Sequence, residues 1–132
     1  MEERKIYTIP GDPIALNRAR MGSAGRMYDP QKGTKLAIGI YLQNQHEGLP
    51  YYEGPLHFNI TFFMYIPKGM KKNTPHYHCK KPDVDNLAKM YIDIGTGILY
   101  QDDNIIAQIS GLKIYDENPR VEFFITELKN VK

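Results

Sequence analysis

The stretch Lys81-Pro82-Asp83-Val84-Asp85-Asn86-Leu87-Ala88-Lys89, followed closely by Gln101-Asp102-Asp103-Asn104, gathers carboxylates, an amide and a lysine into one short span. Two carboxylates one residue apart, with a second acidic pair downstream, can share a hard divalent cation. Mg²⁺ takes oxygen ligands and keeps several waters, so one or two carboxylates plus a substrate phosphate suffice. Lys89 can neutralise charge on a phosphate or help position a water. A plainer reading makes Asp83 and Asp85 a cap and a complement to a helix dipole, and Asp102-Asp103 an ordinary turn before a strand. A cap needs only one carboxylate, however. This segment supplies two, then a lysine, then another pair after a glycine-rich turn.

The elements that must hold these groups can be read from spacing. Pro82 does not belong inside a helix and Asp83 is a good N-cap. From Val84 the apolar residues fall at 84, 87, 88, 91 and 94, which predicts a helix over 84–94 with one buried face. Asp85, Lys89 and Asp93 then follow one another at i, i+4 on the opposite face, and Asp83, Asp85 and Lys89 point to solvent. Gly95 and Gly97 end the helix. The clearest strand is 56–66, where Leu56, Phe58, Ile60, Phe62, Met64 and Ile66 alternate with His57, Asn59, Thr61, Phe63 and Tyr65. Its second face is partly aromatic, as in a central strand.

Further elements complete the frame. Residues 5–9 read as a first strand stopped by Pro10-Gly11. Residues 33–45 read as a helix packing through Leu36, Ile40 and Leu42 or Gln43, weakened by Gly39. Residues 105–115 read as a strand bulged at Gly111. The 116–119 segment reads as a hairpin turn, and 120–128 as the last strand, with Val121, Phe123 and Ile125 on one face. This order predicts an α+β fold: a single domain over residues 1–132, with a mixed β-sheet of about four strands and two main helices packed against it.

Basic residues cluster in two segments. Asn17, Arg18, Arg20 and Arg26 stand among glycines and small residues, which suits either multidentate phosphate contact or a solvated loop. Residues 67–81 form a long loop with Lys68, Lys71, Lys72, Lys80 and Lys81, no acidic residue, and His76, Tyr77 and His78 interleaved. Leading straight into the acidic span, it reads as a strand-guiding funnel in which bases stack on rings and lysines follow phosphates. Lys113 is a further candidate phosphate contact. His76-x-His78-Cys79 lacks the paired spacing of a structural zinc site, and its soft ligands suit a different metal from the one the aspartates prefer.

Composition sets outer bounds. The 132 residues are 42% hydrophobic and 24% charged, which fits a single folded core rather than disorder. No apolar run approaches membrane-spanning length. Cys79 stands alone, which suits a reducing cytoplasm. The formal net charge of +2 is too small to argue for nucleic acid by itself, so the argument rests on where the charges lie.

The sequence K-P-D-V-D-N-L-A-K, then D-I-G-T-G, then Q-D-D-N-I, resembles the signature of the RusA-type Holliday junction resolvases, roughly P-D-x-D-N-L-x-K, D-A-L-x-G, D-D. The strong match covers 82–104. By position, the resemblance implies that Asp83, Asp85 and Asp103 bind the catalytic metal, Mg²⁺ with Mn²⁺ as the alternative. It implies that Lys89 assists catalysis, that Asn86 supports the site and that Asp102 is auxiliary. It further implies a homodimeric crossover junction endodeoxyribonuclease acting on four-way DNA in recombination and repair. Such an enzyme would work in a bacterial cytoplasm and be encoded by a host, phage or prophage. The rival readings are a metal-dependent nuclease acting on forks or flaps, and a junction-binding protein without cleavage. One departure stands out. Asp93-Ile94-Gly95-Thr96-Gly97 replaces D-A-L-x-G, and Gly95 predicts a helix shorter by a residue or two.

Overall fold

The alternation in the central strand does what its period dictates. In the computed structural model, which describes residues 4–17, 20–21, 25, 27–70 and 75–129, strand β4 (Leu56–Met64) buries Leu56, Phe58, Ile60, Phe62 and Met64 and leaves the residues between them half-buried. The remaining elements are β1 (Tyr7–Pro10), β2 (Arg20–Met21), β3 (Met27–Tyr28), α1 (Lys32–Gln45), α2 (Val84–Gly95), a single 3₁₀ turn (Asp103–Ile105), β5 (Ile106–Tyr115) and β6 (Arg120–Glu127). A four-stranded sheet runs in the order β1-β6-β4-β5, and β2 and β3 pair separately as a two-residue ribbon. The sheet is mixed: β4 runs parallel to β5, while the β4–β6 and β1–β6 pairs are antiparallel. The expected α+β architecture is the observed one.

The parallel β4–β5 pair requires a crossover, because parallel neighbours cannot be joined by a tight turn. Helix α2 is that crossover, and its apolar stripe lies on the same side of the sheet as the buried residues of β4. Leu87, Ala88, Met90, Tyr91, Ile92 and Ile94 are buried, a wider face than the spacing predicted, whereas Val84 is partly exposed. Burying Leu87, Met90 and Tyr91 supplies roughly 1.5–3 kcal/mol each relative to exposure.

Three expectations need correction. The 116–119 turn is not a hairpin, since β4 lies between β5 and β6. Four residues reach across one intervening strand, because two inter-strand spacings are only about 10 Å. The backbone N–H of Asp116 bonds the Met64 carbonyl at 2.9 Å on the way. The irregularity in β5 falls at its start, where Leu56 pairs Ile106 but His57 pairs Gln108, and not at Gly111. A Cβ on Gly111 would stand 3.0 Å from Val84 Cγ2, so this glycine lets the start of α2 approach the sheet. Finally, α1 packs through Ile38, Gly39 and Leu42, while Leu36 and Ile40 are 63% and 57% exposed. Gln45, on the buried side, fixes that orientation: its amide accepts from the Thr8 N–H at 2.9 Å and donates to the Thr8 carbonyl at 2.7 Å.

A buried polar chain sits behind α1. The His46 Nε2–H faces the Pro50 carbonyl at 2.9 Å, so Nδ1 is the acceptor for the Tyr7 hydroxyl at 2.7 Å. Tyr52 in turn donates to Tyr7 at 3.0 Å. No helix among the described residues is long and apolar enough to cross a membrane.

Candidate active site

Asp83 has extended backbone angles (φ −68°, ψ 144°), and its carbonyl accepts the Leu87 N–H at 3.1 Å to open α2. Its side chain makes no capping hydrogen bond. The carboxylate that the plainer reading assigns to capping therefore does not cap and is exposed, and Asp85 in the first turn is exposed too.

Between the outer face of α2 and the start of β5 lies an open hollow of about 580 Å³. Asp85, Asn86, Lys89, Asp93 and Asp103 give it polar lining, and Ala88, Ile92, Ile106 and Ile109 give it apolar lining. The i, i+4 face read from the sequence thus becomes one wall, and the 3₁₀ turn brings Asp103 to it. Asp85 and Asp93 are separated by roughly 12 Å of helix rise. Asp103 lies at the Asp93 end, since the turn that carries it follows Tyr100, whose hydroxyl bonds the Ile92 carbonyl. Asp83 does not line the hollow. Lys89 stands between the two acidic ends, and no ion pair among the described residues engages it.

Asp103 titrates above the ordinary carboxylate range. Desolvation is the main cause, followed by the negative charges of Asp93 and Asp102 and the contact with the Asp102 side chain. Asp102 does not line this hollow: its Oδ1 accepts the Asn104 N–H at 3.0 Å and caps the 3₁₀ turn, and it borders a different hollow beside Tyr51 and Glu53. Among the described residues no three His, Cys, Asp or Glu side chains converge as a ready-made metal cluster. The donor chemistry nevertheless suits a hard cation. Asp85 and Asp103 open onto one water-accessible space, and crowding around Asp103 is the kind of charge a divalent ion relieves.

The turn that delivers Asp103 is anchored by Tyr100, which is fully buried and donates to the Ile92 carbonyl at 2.6 Å. A Cβ on Gly95 would stand 2.6 Å from the Tyr100 hydroxyl oxygen. Gly95 is thus the last helical residue and a packing requirement, so it does not shorten the helix as expected.

The surroundings are basic and tied down. Lys80 and Lys81 are exposed just before Asp83. The Lys113 ammonium donates to the carbonyls of Lys80 (2.7 Å) and Pro82 (2.6 Å). His76–His78 lie against the edge of β5, with Tyr77 bridged to Ile114 and His78 packed on Tyr115. Burial, then the charges of Lys113 and Lys80, hold the His78 pKa down. The segment entering the arginine-rich stretch is fixed to α2: the Leu16 N–H bonds the Asn86 carbonyl at 3.1 Å, and the Ile14 N–H bonds the Tyr91 hydroxyl at 3.0 Å. Burial pushes the Tyr91 pKa up to about 12. Gln31 clasps the same segment, accepting from the Asn17 N–H and donating to the Ala15 carbonyl. Arg18, Arg26, Lys71 and Lys72 lie outside the described residues, and Arg20 is described by its backbone alone. Sequence reasoning placed Asp93 on the right face but left it out of the site. The i, i+4, i+8 series of Asp85, Lys89 and Asp93 was the signal that could have found it.

An α+β domain whose crossover helix presents exposed carboxylates and a lysine at an open hollow, with lysines at its approach, has the make-up of a phosphodiester-cutting enzyme. The family model for the endodeoxyribonuclease RusA matches residues 10–126, and the chain belongs to that family. Its enzyme class follows: a hydrolase that cuts DNA internally. An uncharacterized protein of Bacillus subtilis (strain 168), YqaN, is 27% identical over 92% of this chain and 95% of its own length. The crossover junction endodeoxyribonuclease rusA of Lactococcus phage r1t is 37% identical over 56% of each chain.

Proposed function

We infer that this chain is a divalent-metal-dependent endonuclease that resolves four-way DNA junctions by paired strand cuts in recombination and repair. The observation that carries the reading is the single hollow shared by Asp85, Lys89 and Asp103, with Asp83 exposed two residues before Asp85. Family membership and the name of the phage relative support the substrate. Asp83 and Asp85 at the start of α2, and Asp103 at its far end, would supply the carboxylates for Mg²⁺, or Mn²⁺ in its place, with Asp102 acting through Asp103. Once bound, such an ion supplies activated water and stabilises charge on phosphate and leaving group.

The chain's own residues do the rest. The Lys89 ammonium faces the space where a phosphate would lie and offsets the charge that grows there. The Asn86 amide, in the same lining, offers donors to the phosphate and acceptors to water. Arg18, Arg20, Lys71, Lys72, Lys80 and Lys81 hold the backbone, which gives affinity with little sequence information. A homodimer suits the task, because a four-way junction needs two matched cuts on symmetric strands. The phage relative favours a phage- or prophage-encoded protein of the bacterial cytoplasm.

Labelled four-way junction, fork, duplex and single strand, each incubated with and without Mg²⁺, test this reading. Paired symmetric cuts in the junction alone, and only with metal, are expected. Preferential cutting of forks or flaps would reassign the substrate, and metal-dependent binding with no cutting of any substrate would overturn the enzymatic reading.

A further inference from the structure

The ammonium of Lys113 sits on the helix-facing side of β5, level with Phe62 of β4. Its two hydrogen bonds, 2.7 Å to the Lys80 carbonyl and 2.6 Å to the Pro82 carbonyl, use two of its three donors. Pro82 immediately precedes Asp83. The main chain of the same β5 segment grips the same loop: the His78 N–H bonds the Lys113 carbonyl at 3.0 Å, and the Tyr115 N–H bonds the His76 carbonyl at 3.1 Å. Two residues earlier, Gly111 lets Val84 sit directly against the strand.

We propose that Lys113 is a positioning residue for the acidic start of α2, clamping residues 80–82 so that Asp85, lining the hollow, and Asp83, two residues before it, stand at fixed places. Among the described residues the Asp83 side chain makes no capping hydrogen bond, so its location is set by the backbone at 82–84. That backbone is fastened to the sheet by Lys113. A charged donor to two carbonyls is a strong tether, and misplacing a reacting group by about 1 Å costs on the order of a hundredfold in rate. The obvious alternative makes Lys113 a phosphate contact. A phosphate contact contributes to affinity and its salt dependence and leaves the rate at saturation alone, whereas a clamp does the reverse.

The inference rests on the reading that Asp83 and Asp85 work in cleavage, so the full-length protein is tested with Asp83→Asn beside Lys113→Met, Lys113→Gln and Lys113→Arg. Cleavage of a four-way junction is followed under single-turnover, saturating-enzyme conditions. Junction affinity is measured against salt, and amide exchange is measured over residues 78–86 with β4 as the control for folding. Lys113→Met and Lys113→Gln should slow cleavage by roughly a hundredfold. They should also raise the Mg²⁺ needed for half-maximal rate and speed exchange at 78–86 alone, with the salt slope unchanged. Lys113→Arg, which keeps charge and paired donors, should recover most of the rate. An unchanged saturated rate with a salt slope reduced by about 0.9 would make Lys113 a phosphate ligand and overturn the proposal. Failure of both neutral variants to fold would make it a fold-wide support and overturn it equally. Wild-type cutting by Asp83→Asn would instead remove Asp83 from the site, whatever Lys113 does.

Discussion

The backbone N–H of Leu16 donates to the carbonyl of Asn86 at 3.1 Å, tying the approach to the arginine-rich segment to the helix turn that carries Asp85. Leu16 thereby stands against a residue that lines the acidic hollow, two positions before Arg18. Replacing Arg18 and Arg20 by glutamine should weaken junction binding and reduce the slope of log affinity against log salt by roughly 1–2. Titrations at several salt concentrations read this directly, and an unchanged slope would leave those arginines without a phosphate-binding role.

Asp83 and Asp85 are exposed and free of capping bonds, so replacing either with asparagine removes charge without removing a support. Cleavage should be abolished while stability moves by no more than about 0.5 kcal/mol. Junction binding should hold or tighten, since a negative charge facing phosphates is gone. Urea melts and a gel-shift assay without Mg²⁺ check both halves.

The start of α2 and the whole of β4 were legible because local chemistry and periodicity agree there. Pro82 and Asp83 mark a boundary, the apolar residues after Val84 fit one helix face, and Leu56 to Met64 alternate without a break. Helix α1 misled because Leu36/Ile40 and Ile38/Leu42 are both i, i+4 pairs, and only the position of the sheet decides which is buried. Strand order was illegible for a related reason. A four-residue turn fits a hairpin and a step over β4 equally well, and the choice depends on β4 filling the centre. Asp93 was legible as part of a helix face but not as a site residue, because its place beside Asp103 depends on the Tyr100 anchor.

Gly95 and Tyr100 make a sharp test of that anchor. Gly95→Ala would push a methyl to within 2.6 Å of the buried Tyr100 hydroxyl, so stability should fall by about 1–3 kcal/mol. Tyr100→Phe removes the clashing oxygen along with its bond to Ile92. The double variant should therefore lose less than the sum of the single losses. Strict additivity in a denaturation cycle would mean that the two positions do not meet.

Asp103 gives the protein a pH signature. Its folded pKa is raised, chiefly by desolvation and then by Asp93 and Asp102, so the folded state holds this proton more tightly than the unfolded chain does. The favourable contribution is complete below the unfolded carboxylate pKa and is lost as pH rises through the folded value. At neutral pH the ionised group is a burden on the metal-free fold. Asp103→Asn should accordingly raise the melting temperature at pH 7 in chelator, with the gain fading as pH drops below the ordinary carboxylate range. Cleavage by the same variant should be lost. A melting gain that persists undiminished in acid would assign it to something other than charge.

Lys89 separates a surface role from a catalytic one. It lies one helical turn from both Asp85 and Asp93, where an i, i+4 ion pair would stabilise the helix by only ~0.3–0.5 kcal/mol. No such pair forms among the described residues, and Lys89 instead stands over the hollow between the two acidic ends. An ammonium held there interacts most strongly with charge that develops on a phosphate in the transition state. Lys89→Met should therefore cut the single-turnover rate by roughly a hundredfold or more, the scale lost when one preorganised charge stabiliser is removed. Melting and junction affinity should barely move. A variant that cuts within a few-fold of wild type at saturating enzyme would return Lys89 to the solvated surface and leave the hollow without its central cation.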